Sequence, residues 1–180
     1  MQADYLFQSE RLGFRNWKLS DHEPFAKMNR DLEVMEFFPK LLTVEESSAM
    51  IERMQDVYKE LGYTFFAVEL LDKNEFIGFI GIIRSTFDAF FTPCFEIGWR
   101  LQKSAWNKGL ATEGTLACLN YGFNVLNMPV IHSITSQINS KSEHIMKKTG
   151  MVKIGVFDHP RLSKNDPLKP HVVYKISNNY

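Results

Sequence analysis

The chain has 180 residues, 44% of them hydrophobic and 13% aromatic, and its 21 basic and 21 acidic side chains cancel. That length and apolar content support one packed domain rather than a disordered segment, and a net charge of zero argues against a general nucleic-acid binder. No apolar run approaches the roughly 18 residues of a membrane span, and MQADYLFQSERL lacks the basic and apolar regions of a secretory leader, so a cytoplasmic protein with no membrane partner is expected.

Ser9–Trp17 (SERLGFRNW) reads as a first strand. Ser20-Asp21-His22-Glu23 has capping-box spacing ahead of a short helix bearing Phe25, Met28 and Leu32 on one face. A second box, Thr43-Val44-Glu45-Glu46, opens a longer helix with Met50, Ile51, Met54 and Tyr58 near one stripe, and Gly62 should end it. The period then changes. Tyr63–Leu71 and Phe76–Ile83 are rich in β-branched and aromatic residues around Asp72-Lys73-Asn74-Glu75, a hairpin signal. After a loop with Thr92-Pro93 come a strand at 95–101, the turn WNKGLATEG (106–114), and a helix to about Leu126. Strand 130–137, helix 139–148 closed by Gly150, strand 151–157, a loop at 158–170 and strand 172–176 complete the chain. Strand 95–101, the crossover helix and strand 130–137 form a βαβ unit, so those strands should be parallel. The expected fold is mixed α/β (α+β): a single domain over 1–180, with a mixed twisted sheet of about seven strands and about four helices on both faces.

Charge is unevenly distributed. Residues 1–80 hold 15 Asp/Glu against 9 Lys/Arg, and residues 81–180 hold 6 against 12, so a −6 half is joined to a +6 half. That balance suits bringing a cation to an anion, and equally arises by chance along a folded chain. Cys94 and Cys118 have neither metal nor redox spacing, and the five histidines show no i, i+4 pair, so no metal site is expected.

The turn at 106–114 is the most chemical feature. A helix amino terminus offers unpaired N–H groups and partial positive charge, and glycine lets an anion approach the backbone. Gly109 permits positive φ, Ala111 keeps the surface low and Lys108 adds charge; the spacing is neither GxxxxGK[ST] nor GxGxxG. The alternative is a plain βα turn.

EIGWRL followed by AWNKGLATEG resembles the GNAT superfamily of acyl-CoA-dependent N-acetyltransferases, and more narrowly the branch containing ribosomal-protein N-terminal acetyltransferases. The family's R/Q-x-x-G-x-G/A turn maps onto Trp106-x-x-Gly109-x-Ala111, with Trp in place of Arg/Gln. Ser9-Glu10-Arg11-Leu12, Phe38-Pro39 with Leu42-Thr43-x-x-Glu46, Asn139-x-x-Ser142 with Met146-x-Lys148-x-Gly150-Met151, and Asp158-His159-Pro160-Arg161 with His171-x-x-Tyr174 extend the resemblance over nearly the whole chain. Asn107, Gly114 and Lys147 depart from the frequent Gly, Ala and Glu.

The resemblance implies acetyl-CoA as co-substrate and direct transfer to a primary amine, a protein N-terminus or a small molecule, in a ternary complex formed by a monomer or homodimer. It implies a pyrophosphate cradle at Trp106, Asn107, Lys108, Gly109, Leu110, Ala111 and Thr112, and pantetheine lying between diverging strands beside Trp99, Arg100 and Leu101. A non-catalytic acyl-CoA-binding regulatory module of the same fold is the alternative.

The chemistry needs a neutral amine. At pH 7 an α-amino group is roughly a tenth neutral and a lysine far less, so a base helps, as do a proton donor for the departing thiolate and a backbone N–H for the oxyanion. Glu96 is the candidate base, or else a strand carboxylate paired with Arg84 or Arg100. Ser142 resembles the family's proton donor to sulfur and Asn139 its cofactor-orienting amide; both are also good helix-cap residues. Lys147 and Lys148 are placed to meet the 3′-phosphate or to be solvated, and His159 and His171 to line the acceptor pocket or a loop. Tyr121 and Cys118 read as core.

Overall fold

The computed structural model describes residues 5–178. Eight strands form one sheet: β1 (Phe7–Gln8), β2 (Leu12–Arg15), β3 (Phe65–Leu70), β4 (Glu75–Ser85), β5 (Cys94–Leu101), β6 (Val130–Ser136), β7 (Val152–Asp158) and β8 (Pro170–Ser177), in the order β1-β2-β3-β4-β5-β6-β8-β7. Four helices accompany them: α1 (His22–Asn29), α2 (Val44–Leu61), α3 (Leu110–Asn124) and α4 (Ser140–Lys148). Among the described strands only β5 and β6 pair in parallel, as the crossover through α3 requires.

The sheet separates two cores. Leu110, Cys118 and Leu119 of α3 and Met146 of α4 pack with Phe14, Ile80, Ile97 and Ile131 on one face. Phe25 and Met28 of α1 and Ile51 and Met54 of α2 pack with Phe76 and Phe79 on the other. Each such side chain, once removed from water, contributes on the order of 2 kcal/mol. α3 reaches the sheet closely because Gly114 has no side chain: a Cβ there would lie 2.3 Å from Ile80 Cδ1.

Leu32 lies beyond α1, which ends at Asn29, and is exposed rather than on the buried face with Phe25 and Met28. Two further expectations change. The first strand is a hairpin, with Phe7–Gln8 folding back on Gly13–Phe14 through a turn where Ser9 Oγ accepts from Leu12 N–H, and this raises the count from about seven strands to eight. The Ser20–Glu23 box does not cap α1. Asp21 holds the N-cap position and makes no side-chain cap bond, because its carboxylate accepts instead from Lys18 N–H and from both Nη groups of Arg15. Arg15 is 2% exposed and also bonds Glu69, so this buried ion cluster outbids the local cap. At α2 the Thr43–Glu46 box forms in both directions and Gly62 ends the helix at φ 75°.

Candidate active site

β5 and β6 are registered only at Phe95↔Ile131 and Glu96↔His132, although both strands continue several residues further. Ser133 Oγ makes a last stitch, donating to Ile97 C=O at 3.0 Å, and beyond it the strands part. Backbone groups alternate in direction along a strand. Gln102 N–H donates to Ile77 C=O on the β4 side, so Gly98 and Arg100 face β4, while Trp99 and Leu101 face the opening. Leu101 C=O is held by the Trp106 indole N–H at 2.8 Å, which leaves Trp99 as the residue whose N–H and C=O point into the gap. Arg100 turns its backbone away from that gap.

The turn into α3 lies beside the opening. Asn107 (φ 59°) and Gly109 (φ 77°) both take left-handed conformations, a cost that asparagine bears better than most residues and glycine hardly at all. Gly109 is the N-cap and makes no side-chain cap bond; the first helical bond runs from Glu113 N–H to Gly109 C=O. The N–H groups of Leu110, Ala111 and Thr112 therefore emerge uncapped at the positive end of a fifteen-residue helix. A Cβ on Gly109 would have only Arg11 Nη2 near it, at 3.6 Å, so the backbone lines an open concavity. Arg11 was not anticipated here. It bonds Glu113 through Nε and its own N–H and donates to Lys108 C=O, tying the β1–β2 turn to the α3 terminus and placing a guanidinium at its edge. Free amides at a helix dipole, with Lys108 and the Glu113-paired Arg11 at the edge and no side chain over Gly109, make this concavity suited to an anion such as a pyrophosphate.

α4 begins on the other side of the opening, with Lys141 Nζ 5.0 Å from the centre of the Trp106 ring. Asn139 is buried as the α4 N-cap, accepting from Ser142 N–H and donating through Nδ2 to Ser142 Oγ, both at 3.1 Å. Its cap role is thus formed. Because Ser142 Oγ accepts from Asn139, its own hydroxyl proton remains free to be donated elsewhere. Lys148 is exposed at the far end of α4, and Lys147 pairs with Glu143 of the same helix.

Glu96 occupies the last registered pair before the strands part, on the sheet face opposite α3. It pairs with neither Arg84 nor Arg100; its carboxylate accepts from Ser85 Oγ on β4. Burial raises its pKa above the ordinary carboxylate range, opposed by the Ser85 bond and by the charge of Arg161. Cys94 beside it is pushed up to about 12 by burial and the Glu96 charge, and burial also raises Cys118, so neither thiol is a ready nucleophile.

Aromatic rings wall this side. Phe91 lies over His132 (5.8 Å) and against Phe157 (5.0 Å), and His159 lies tilted against His171 (4.9 Å) and Phe87 (5.0 Å). Burial holds His159 down to about 4 and lowers His171, so both are neutral near pH 7. A cavity of about 600 Å³ elsewhere, lined by Lys27, Asp31, Phe76 and Gln102 among others, contains none of the predicted site residues. Among the described residues no cluster of three metal-ligating side chains occurs, and no helix is long and apolar enough to cross a membrane.

A family model described as "Acetyltransferase (GNAT) domain" matches residues 11–152. The chain belongs to the GNAT family. It is thereby an acyltransferase, of a family whose fold uses acetyl-CoA. An uncharacterized N-acetyltransferase of Bacillus subtilis (strain 168), YnaD, is 30% identical over 150 residues, 83% of this chain and 84% of the relative. The ribosomal-protein-S5-alanine acetyltransferase of Vibrio fischeri superposes with a TM-score of 0.76 at 20% identity, covering 96% of each chain. The spermidine N-acetyltransferase of Vibrio cholerae, solved in complex with CoA and spermine, superposes at 0.74 with 18% identity over 93% of this chain and 95% of that one. Those two structures share the fold of this GNAT chain, and the difference between their named acceptors shows that the fold does not choose the amine.

Proposed function

We propose that this GNAT protein transfers acetyl from acetyl-CoA directly to a primary amine, with the pyrophosphate at the α3 amino terminus, pantetheine in the β5–β6 opening, and Glu96 as the base. The observation that carries this reading is the juxtaposition of a two-pair parallel ladder with an uncapped, glycine-led helix terminus. Bound acetyl-CoA supplies an activated thioester.

The chain's own groups then act as follows. Leu110, Ala111 and Thr112 N–H bind phosphate oxygens, with Arg11 and Lys108 alongside. Trp99 presents N–H and C=O to the pantetheine amides. Glu96, kept basic above the usual carboxylate range and located where the strands part, removes a proton from the incoming ammonium, directly or through water. Ser142, oriented by Asn139, donates its hydroxyl proton to the departing sulfur and regains the second proton that the nitrogen sheds as the amide forms, so the thiol leaves neutral and the hydroxyl is restored. Both cysteines are buried with their thiols raised, so neither offers a thiolate to carry a covalent intermediate, which supports direct transfer.

The acceptor is a protein N-terminus or a small amine. Thiol release with acetyl-CoA and an amine panel tests this. Turnover that falls about 10²-fold or more in Glu96→Gln and in Ser142→Ala is expected. CoA binding with no acceptor consumed, or turnover indifferent to both substitutions, would overturn it.

A further inference from the structure

The chain contains two deeply buried arginines, and they are treated differently. Arg15 is flanked by Asp21 and Glu69, so its charge is neutralised twice. Arg100 is 8% exposed and has no carboxylate partner in any ion pair among the described residues. Its guanidinium lies 3.8 Å from the centre of the Phe38 ring and 5.4 Å from that of Phe79. Those rings favour a cation but accept no N–H in its plane. Of its five donors, one is met, from Nη1 to Asn29 Oδ1 at 2.7 Å; its Nε is buried without a partner, as is that of Arg15, so what sets Arg100 apart is the missing carboxylate.

Asn29 is itself fixed. Its Nδ2 donates to Ser47 Oγ, which donates to Thr43 C=O, so the amide oxygen is held toward Arg100. A buried cation held in place with an unmet fork of donors is costly unless an anion completes it. Burial lowers its pKa to about 10.

Arg100 leaves β5 on the same face as Glu96, the face turned from α3, and its backbone points away from the gap proposed for pantetheine. An anion for Arg100 is thus placed on the Glu96 side of the sheet, where the acceptor amine is expected. Three residues of strand lie between Glu96 and Arg100, four steps or about 13 Å between Cα atoms, and the Phe65 ring covers Gly98 midway, so a chain joining the two passes over that ring.

Resting on the transferase reading above, we propose that Arg100 recognises a carboxylate on the acceptor, several bonds removed from the reacting nitrogen. The acceptor is then an ω-amino carboxylate or a short acidic peptide rather than a polycation.

The test uses matched pairs of ω-amino acids and their primary amides, of increasing chain length, with acetyl-CoA and the full chain. Wild type is expected to favour the longer carboxylates over their amides by ten-fold or more in kcat/KM, and Arg100→Gln to bring that ratio near one. Arg100→Lys, which retains the charge without the fork, should fall between them and serves if Arg100→Gln melts without cooperativity. A second readout needs no turnover: with CoA present, N-acetyl-6-aminohexanoate should raise the Tm of wild type but not of the variant, and its amide should raise neither. Equal use of carboxylate and amide by wild type, or a preference unchanged in Arg100→Gln, overturns the proposal. Failure of the transferase reading looks different, with no thiol released by any amine; the Tm experiment then still decides on Arg100.

Discussion

Gly114→Ala tests whether the distance of α3 from the sheet sets the cofactor cradle. The new methyl would lie 2.3 Å from Ile80 Cδ1, 3.1 Å from Leu12 Cδ1 and 3.4 Å from Phe14 Cζ, so either Ile80 changes rotamer or α3 lifts. Overpacking of this kind costs about 1–3 kcal/mol, against a gain of about 1 kcal/mol in helix propensity from Gly to Ala. The expected result is a net loss of about 0–2 kcal/mol in urea denaturation, with weaker CoA binding by calorimetry because Gly114 stands five residues into the helix whose terminus forms the cradle. Ile80→Val removes the clashing Cδ1. Alone it should cost about 0.5–1.5 kcal/mol, whereas in the Gly114→Ala background it should cost little or restore stability. A double-mutant cycle should therefore show favourable coupling of about 1 kcal/mol. Additivity within about 0.5 kcal/mol, or a Gly114→Ala protein stabilised by the full helix-propensity gain with unaltered CoA affinity, would refute the packing argument.

Glu96→Gln should lower kcat by about 10²–10⁴-fold and remove the acid limb of the kcat/KM profile, a limb expected above the ordinary carboxylate range. The same substitution should raise Tm at pH 7–8. A folded-state pKa above the unfolded value means that ionisation costs stability as pH rises, a cost that glutamine escapes, and the difference should vanish below about pH 4. A lower Tm at pH 8 would contradict the assignment. Glu69 has the opposite sign: burial opposes its charge, but Arg15 outweighs this and depresses its pKa, so its contribution is present above the unfolded value and lost as pH falls through the folded one. Arg15→Met should cost about 3–5 kcal/mol at pH 7 by stranding Asp21 and Glu69, measurable by denaturant midpoint.

Local signals in the sequence were legible where nothing distant competed for the same atoms. Thr43 and Glu46 read as a cap and are one, because Lys40 takes only one carboxylate oxygen of half-buried Glu46 and leaves the other for the exposed Thr43 N–H. Ser20–Glu23 has the same pattern and fails, since Asp21 is drawn to Arg15, a partner visible only once β2 and α1 are packed. The β1–β2 hairpin was hidden because its turn carries neither glycine nor proline and β1 is two residues long. The glycine-led turn at 106–114 was visible from residue types alone, whereas Arg11 beside it bonds Glu113 across 102 residues of chain. Asn139 and Ser142 were recognised as a spaced pair, and the structure adds the direction of their hydrogen bonds. Glu96 was read as facing a cleft; its partner Ser85 depends on the β4–β5 register, which no periodicity specifies to the residue. The missing counterion of Arg100 is likewise a property of the packed fold alone.

The account's central claim is that the cofactor seats at the α3 amino terminus and in the β5–β6 opening. An amide-resolved NMR titration of the full chain with CoA tests it most directly. The largest shifts should fall on Leu110, Ala111, Thr112 and Trp99, with smaller ones at Asn139 and Ser142 and none along β7. Shifts concentrated instead around the cavity lined by Lys27, Asp31 and Gln102, with the α3 terminus silent, would contradict it.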